Sequence, residues 1–140
     1  MNIDKYNSEG YYDPTSYEAM TNVAKADKQS AFRPLVYICS PFSGDEEGNT
    51  LKARRYSRFA VDQGAIPIAP HLLLPQYMDE KTERELAMKM DMVLLAHCLE
   101  LWVFGSFISE GMEAEILRAK QKKMKIRYFT EDLKEEERCS

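Results

Sequence analysis

From residue 34 onward, the sequence alternates short apolar runs with longer segments whose apolar residues recur at helical spacing. This alternation is typical of βαβ units, in which consecutive strands lie parallel and the connecting helices cover the sheet. The sequence therefore predicts an α/β fold, flavodoxin-like or Rossmann-like, with an open parallel sheet of about four to five strands and helices on both faces. The predicted strands are Leu35–Cys39, Ala65–Ala69, Leu101–Phe104 and Ile126–Phe129, and the predicted helices are Thr50–Gln63, Lys81–His97 and Glu110–Lys122.

Two features of the predicted helices bear on their ends and their packing. Gly64 follows the first helix at the position where helices commonly end on a residue with positive φ. In the second helix, Asp91 lies on one line with Ala87 and Leu95, close to the apolar stripe, and an acid in such surroundings must be paired, capped or functional. The apolar stripe predicted to face the core consists of Leu86, Met90, Val93, Leu94 and His97.

The chain divides into three segments by pattern. Residues 1–33 are polar, contain several tyrosines and show no clear period, which predicts an N-terminal extension that is partly disordered or helical. Residues 34–130 carry the regular alternation and predict one domain. Residues 131–140 form an acidic, polar tail.

Composition argues against several classes of partner. The 140 residues carry a formal net charge of −4 and show no dominant basic stripe, so a nucleic-acid partner is not expected. No apolar stretch approaches the ~18 residues of a membrane-spanning helix, and no signal-peptide pattern is present, so no membrane partner is expected. The three cysteines, an odd number, favour reduced thiols over a disulfide framework. The sequence therefore predicts a soluble, cytoplasmic protein.

The first predicted strand opens into a loop of small, hydroxylated residues. Ligands of open parallel sheets bind beyond the carboxyl ends of the strands, and here Ser40, Ser43 and nearby N–H groups could hold a phosphate or the hydroxyls of a sugar. The loop matches neither a Walker A nor a GxGxxG pattern, so nucleoside triphosphates and dinucleotides are not expected. An ordinary turn explains these residues equally well.

The stretch Ser109–Glu115 follows the third predicted strand and opens the third helix. Its helix N-terminus suits an anion or a sugar, and Glu115, one turn into the helix, could act as a covalent nucleophile. The alternative is a solvated helix face, because Glu113 and Glu115 lie near basic residues. His71, in the loop after the second strand, is a candidate substrate-binding lid residue, whereas His97 is predicted to be in the core. No spacing of His, Cys and carboxylates indicates a metal site, and no cofactor is expected.

Three of these features together resemble one enzyme family. Tyr37 lies near the end of the first strand, Asp91 precedes Leu99 by eight residues, and the pattern Ser-x-Gly-x-x-x-Glu covers residues 109–115. Their order and spacing resemble those of the nucleoside 2-deoxyribosyltransferase family over about residues 34–130. Within it, the pattern is most similar to the 2'-deoxynucleoside 5'-monophosphate N-glycosidases, whose motif begins with Ser where the transferases have Asp.

The resemblance implies a retaining double displacement at the N-glycosidic bond of a nucleoside or nucleotide. Glu115 would attack the anomeric carbon, Asp91 would hold or protonate the departing base, and Tyr37 would position Glu115. Sites of this family are often completed by a neighbouring subunit, so a homodimer or a larger homo-oligomer is implied. The 5'-oxygen or 5'-phosphate would be bound by Ser109 together with Ser40 or Ser43 and Gly111.

The chain also departs from the family pattern. Ile116-Leu117 stands where the family commonly has Leu-Gly, and Ser109 in place of Asp favours a phosphorylated substrate. One alternative is a non-catalytic module on the same fold that binds or sequesters a nucleotide. Another is an interaction subunit that acts through its tyrosine-rich N-terminus. The sequence leaves open the base, the choice of ribose or 2'-deoxyribose, and whether water or a free base is the acceptor.

Overall fold

A computed structural model describes residues 32–79 and 81–138, and the fold is that of the compact unit Arg33–Ser140. Residues 1–31, most of the predicted N-terminal extension, lie outside the described residues. The elements in chain order are β1 (Leu35–Cys39), α1 (Glu46–Asp62), β2 (Ile66–Ile68), two 3₁₀ turns (Pro70–Leu72 and Leu74–Gln76), α2 (Arg84–Ala96), β3 (Glu100–Phe104), α3 (Glu110–Gln121), β4 (Lys125–Phe129) and β5 (Glu135–Glu136).

The five strands form one sheet in the order β2-β1-β3-β4-β5. Strands β1 to β4 are parallel, and β5 pairs antiparallel with β4. The predicted α/β fold with an open parallel sheet is confirmed, apart from the antiparallel edge strand β5. Because β2 and β3 lie on opposite sides of β1, the chain leaves β1 and β3 in opposite directions, and a crevice opens between their carboxyl ends.

Side chains alternate across β1 and divide the core into two layers. One set shares a cluster with α1, and the other shares a cluster with α2 and α3, so helices cover both faces of the sheet as predicted. The α1 side also contains a stack of aromatic rings, whose contacts each add about 0.5–1.5 kcal/mol beyond the area they bury. The side chains that face α1 are Val36 and Ile38, and those that face α2 and α3 are Tyr37 and Cys39.

Helix α1 begins four residues before its predicted start, because Asp45 caps it. The Asp45 carboxylate accepts a hydrogen bond from the Gly48 N–H at 3.1 Å, which satisfies one of the free donors of the first turn. At the other end, Gly64 has φ +87°, in the region that favours glycine, as predicted for the residue after the helix. The β1–α1 loop is therefore shorter than the sequence indicated.

The apolar stripe predicted for the second helix was wrong at three of its five residues, whereas Leu94 packs against the core and Met90 is half-buried. Leu86 and Val93 are 50% and 60% exposed, and His97, predicted to lie in the core, is exposed at the end of α2. The buried residues of α2 are instead Ala87 and Leu95, the line on which Asp91 lies. This face of the helix packs toward the sheet and α3 and also borders a cavity, so it combines small, apolar and acidic side chains.

Part of the segment predicted as a polar tail contributes strand β5. Glu135 accepts two hydrogen bonds from the Arg127 guanidinium, at 2.8 and 2.7 Å, and this bidentate pair links β5 to β4. Among the helices in the described ranges, none is long and apolar enough to cross a membrane. Within the same ranges, no group of three or more His, Cys, Asp or Glu side chains is arranged to hold a metal ion.

Candidate active site

A cavity of about 290 Å³ lies at the carboxyl edge of the sheet. It is bounded by the β1–α1 loop, the first 3₁₀ turn, α2 and the N-terminal half of α3. Six of the eight residues that the sequence singled out line it, from segments far apart in the chain. These six are Ser43, His71, Asp91, Ser109, Gly111 and Glu115.

Glu115 forms the floor of the cavity and is only 5% exposed. Its carboxylate is held from β1, where the Tyr37 hydroxyl donates a hydrogen bond to Oε2 and the Cys39 thiol donates one to Oε1 at 3.5 Å. Tyr37 and Cys39 are two residues apart, so the alternation of the strand directs both toward α3. Tyr37 is itself buried behind Glu115 and does not line the cavity.

The surroundings of Glu115 favour its neutral form. Burial raises the pKa of its carboxyl group from 4.5 to about 7, the negative charge of Asp91 acts in the same direction, and the hydrogen bonds from Tyr37 and Cys39 partly oppose both. Burial also raises the pKa of the Tyr37 hydroxyl and of the Cys39 thiol well above their ordinary values. Both groups therefore keep their protons near neutral pH and act as hydrogen-bond donors.

The N-terminus of α3 supplies polar groups to the same cavity. Ser109 caps the helix, and its Oγ accepts a hydrogen bond from the Met112 N–H at 3.3 Å, which leaves the hydroxyl proton free to be donated elsewhere. Gly111 lines the cavity, and a Cβ added there would meet no atom within 4 Å. The missing side chain thus leaves room for a ligand to approach the first turn of the helix.

An aromatic pair forms another side of the cavity. The Phe42 and His71 rings are stacked, with centroids 5.0 Å apart and planes inclined by 21°. The Asn49 side chain donates to the carbonyl oxygens of Phe42 and Ser43, at 3.0 and 3.3 Å, and so ties this loop to the first turn of α1. Burial lowers the pKa of His71, against an opposing hydrogen bond to the Ser40 backbone, so the imidazole is mainly neutral at pH 7.

Helix α2 contributes the remaining charged groups. Asp91 is half-buried and faces the cavity between apolar side chains of the same helix, and Arg84, at the beginning of α2, is exposed at the cavity's edge. Glu110 of α3 is a third carboxylate beside Asp91 and Glu115. Among the residues that the structure describes, the cavity lining therefore contains three carboxylates and one guanidinium group.

Ser40 is the predicted substrate-binding residue that the structure places outside this cavity. It is 1% exposed and lines a neighbouring cavity of about 140 Å³. Strand alternation accounts for this position, since the side chain after Cys39 points to the α1 side of the sheet. Ser40 contacts the first cavity's lining through its backbone, which is hydrogen-bonded to His71.

Sequence reasoning missed several residues of the site, among them Glu110, which adds a carboxylate to the cavity. Phe42 and Arg84 line the cavity, and Cys39 contacts Glu115. The period of two along β1 was the available signal for Cys39, because a residue two positions after Tyr37 must face the same helix. The local sequence gave no sign that Phe42 stacks on His71 or that Arg84 lies at the edge of the cavity, because both depend on how distant segments pack.

Residues 34–129 match a protein family described as "Domain of unknown function (DUF7768)". The chain belongs to this family. No curated protein matches the sequence of this DUF7768 member. Among solved structures, it is similar to a 2-desoxiribosyltransferase from Leishmania mexicana, with a TM-score of 0.52 and 13% sequence identity. The similarity covers 69% of this chain and 64% of that one, and at this identity it establishes the fold alone.

Proposed function

We propose that this DUF7768 protein cleaves the N-glycosidic bond of a nucleoside or nucleoside 5'-monophosphate through a covalent glycosyl ester on Glu115. The observation that carries the proposal is the position of Glu115, a buried carboxylate on the floor of a cavity with both oxygens hydrogen-bonded from β1. The fold shared with a 2-desoxiribosyltransferase and the motif resemblance support the same reaction class.

The substrate would lie with its anomeric carbon above Glu115. The base would pack against the Phe42 and His71 rings, and the 5'-oxygen or 5'-phosphate would accept hydrogen bonds from Ser109 and the N–H groups near Gly111. Arg84 would offset the negative charge that a phosphate brings to a cavity already lined by carboxylates. A cavity of about 290 Å³ is near the lower end of small-molecule sites, which suits a mononucleotide.

Two displacements would complete the reaction. In the first, a carboxylate oxygen of Glu115 forms a bond to the anomeric carbon while the bond to the base breaks, and Asp91 in its protonated form gives a proton to the base nitrogen. In the second, water attacks the anomeric carbon, Asp91 takes up the proton, and the ester bond breaks to restore the Glu115 carboxylate. A free base in place of water would make the reaction a transfer.

The pKa of Glu115 sets the expected pH dependence. Attack requires the carboxylate, and with a pKa of about 7 only part of the protein carries it at neutral pH. We therefore expect base release to increase as the pH rises toward about 7, because the ionised fraction of Glu115 increases over this range.

The decisive experiment measures base release by chromatography from a panel of nucleosides and 5'-monophosphates, with and without a free acceptor base. Native protein should release base from at least one substrate, and Glu115→Gln should reduce the rate by at least about a thousandfold. Glu113→Gln is the matched control, because Glu113 is exposed on the same helix and does not line the cavity. Equal, mild effects of both substitutions, or no release from any substrate, would contradict the proposal.

We propose in addition that a second copy of the chain completes the site, as in the family that the sequence resembles. The outer face of α2 exposes Leu86 and Val93, apolar residues seven positions apart on the helix that carries Asp91. Light scattering after size exclusion should give a mass of two or more chains. Leu86→Lys should shift the mass toward the monomer and lower base release, and a monomeric native protein with full activity would overturn this assignment.

A further inference from the structure

Cys39 is a buried group that the mechanism above does not use. Its side chain is fully buried, and its thiol lies 3.5 Å from Glu115 Oε1 and 3.9 Å from the Met112 carbonyl oxygen. Burial places the pKa of the thiol well above its ordinary value, so the group near neutral pH is an S–H donor and not a thiolate. It is therefore suited to hydrogen-bond an anion and unsuited to act as a nucleophile itself.

The contacts of Cys39 complement those of Tyr37. Tyr37 holds one oxygen of the Glu115 carboxylate, and Cys39 holds the other. Because the two donors lie on one strand and one face, they fix both the position of the carboxylate and the rotation of its plane. A carboxylate held by a single donor could rotate about its last side-chain bond.

We propose that Cys39 is a positioning residue for Glu115, which orients the carboxylate and stabilises its charged form through Oε1. This inference rests on the proposed function only for its catalytic consequence, since the hydrogen bond itself can be tested without activity. The thiol is a weak donor, so it orients Oε1 while withdrawing little electron density from it.

The Met112 carbonyl gives the thiol proton a second acceptor on α3. While Glu115 is a carboxylate, the proton is directed at the charged oxygen, because charge makes it the stronger acceptor. Once the Glu115 carboxylate has become an ester and lost its charge, the thiol proton turns to the Met112 carbonyl. The contact thus favours the carboxylate over the ester, which helps Glu115 to leave in the second displacement.

Several groups affect the ionisation of Glu115 and must be separated from Cys39. Tyr37 of β1 and Asp91 of α2 act directly on its pKa. The cavity lining brings further groups from other elements, namely His71, Arg84 and Glu110. Substitutions at Cys39 leave all of these in place, so a change in the pKa of Glu115 reports on the thiol.

The test titrates the Glu115 carboxyl carbon by ¹³C NMR in native protein, Cys39→Ala and Cys39→Ser, with Glu115→Gln to assign the signal. Cys39→Ala should raise the pKa of Glu115 by about half a pH unit, a roughly threefold change in the ionisation constant, because one hydrogen bond to the charged form is lost. Cys39→Ser keeps a donor and should hold the pKa at or below the native value. The control is Cys98→Ala, which removes a buried thiol that donates to the Leu94 carbonyl, away from Glu115.

An unchanged pKa in Cys39→Ala, or an equal rise in the alanine and serine variants, would overturn the inference. If Cys39→Ala does not fold, the serine variant decides, because a pKa clearly above the native value there also contradicts it. The catalytic consequence is measured as the rate of base release at several pH values. The pH at which this rate increases should shift together with the pKa of Glu115 measured by NMR. A pKa that moves in a protein without base release would support the positioning contact and refute the proposed function.

Discussion

The burial of Glu115 predicts a measurable loss of stability as the pH rises from about 4.5 to about 7, which Glu115→Gln should remove. In the folded protein the pKa of this carboxyl group is raised from 4.5 to about 7, chiefly because burial disfavours its charged form. In the unfolded chain the group is solvated and ionises near its ordinary value. Ionisation therefore favours the unfolded state.

The sign and the size of the effect follow from proton linkage. Below about pH 4.5 both states bind the Glu115 proton, and above about pH 7 neither does, so the contribution of Glu115 to the free energy of unfolding changes only between these values. In that window the unfolded state holds fewer protons, and stability falls as the pH rises. At 1.36 kcal/mol per pH unit, the total loss is about 3 kcal/mol.

Urea unfolding at several pH values between about 4.5 and 8 measures this loss, with the fluorescence of the single, buried Trp102 as the probe. The free energy of unfolding should decline by the same amount in native protein and in Glu113→Gln. In Glu115→Gln the decline should be smaller by about 3 kcal/mol. The comparison uses the change in the free energy of unfolding with pH. A constant difference in stability, caused by changed hydrogen bonds in the glutamine variant, therefore does not affect it. Parallel curves for all three proteins would refute the reasoning.

Three further substitutions test the contacts around Glu115 and the cavity. Tyr37→Phe removes the donor to Oε2, so the pKa of Glu115 should rise by about one pH unit in a ¹³C titration, and an unchanged value would contradict the contact. Asp91→Asn removes a neighbouring negative charge, so the pKa of Glu115 should fall while base release decreases, and a rise in the pKa of Glu115 would contradict the effect assigned to Asp91. Gly111→Val places a side chain in open space at the cavity, so nucleotide affinity should drop at least about tenfold with thermal stability nearly unchanged, and unaltered affinity would exclude binding at this turn.

The fold could be predicted from the sequence because its signals are local. The four apolar runs became β1 to β4, and the intervening helices were expected within a few residues of their ends. The largest shifts came from capping and from pairing with distant residues. Asp45 begins α1 early through a side-chain hydrogen bond, and Glu135 joins the sheet through an ion pair with Arg127. Neither contact is marked by hydrophobic periodicity.

The inner face of α2 could not be predicted from hydrophobicity alone. Two of the apolar residues predicted to face the core, Leu86 and Val93, face outward, whereas the line through Ala87, Asp91 and Leu95 faces the sheet, α3 and the cavity. A helix that borders a binding cavity needs polar and small residues on its inner face, so its apolar stripe no longer identifies the buried side. The spacing of Asp91 with Ala87 and Leu95 was the better indicator.

The environment of Glu115 differs from that of a buried carboxylate with a purely structural role. A structural acid is commonly paired with a cation, which lowers its pKa and makes burial tolerable. Glu115 is instead held by two neutral donors and lies near the negative charge of Asp91, so its pKa rises toward 7. An amide at this position would avoid the destabilisation of about 3 kcal/mol worked out above. Retaining a carboxylate there makes physical sense for a group that must change its charge and bonding near neutral pH, which is what a glycosyl-accepting nucleophile does.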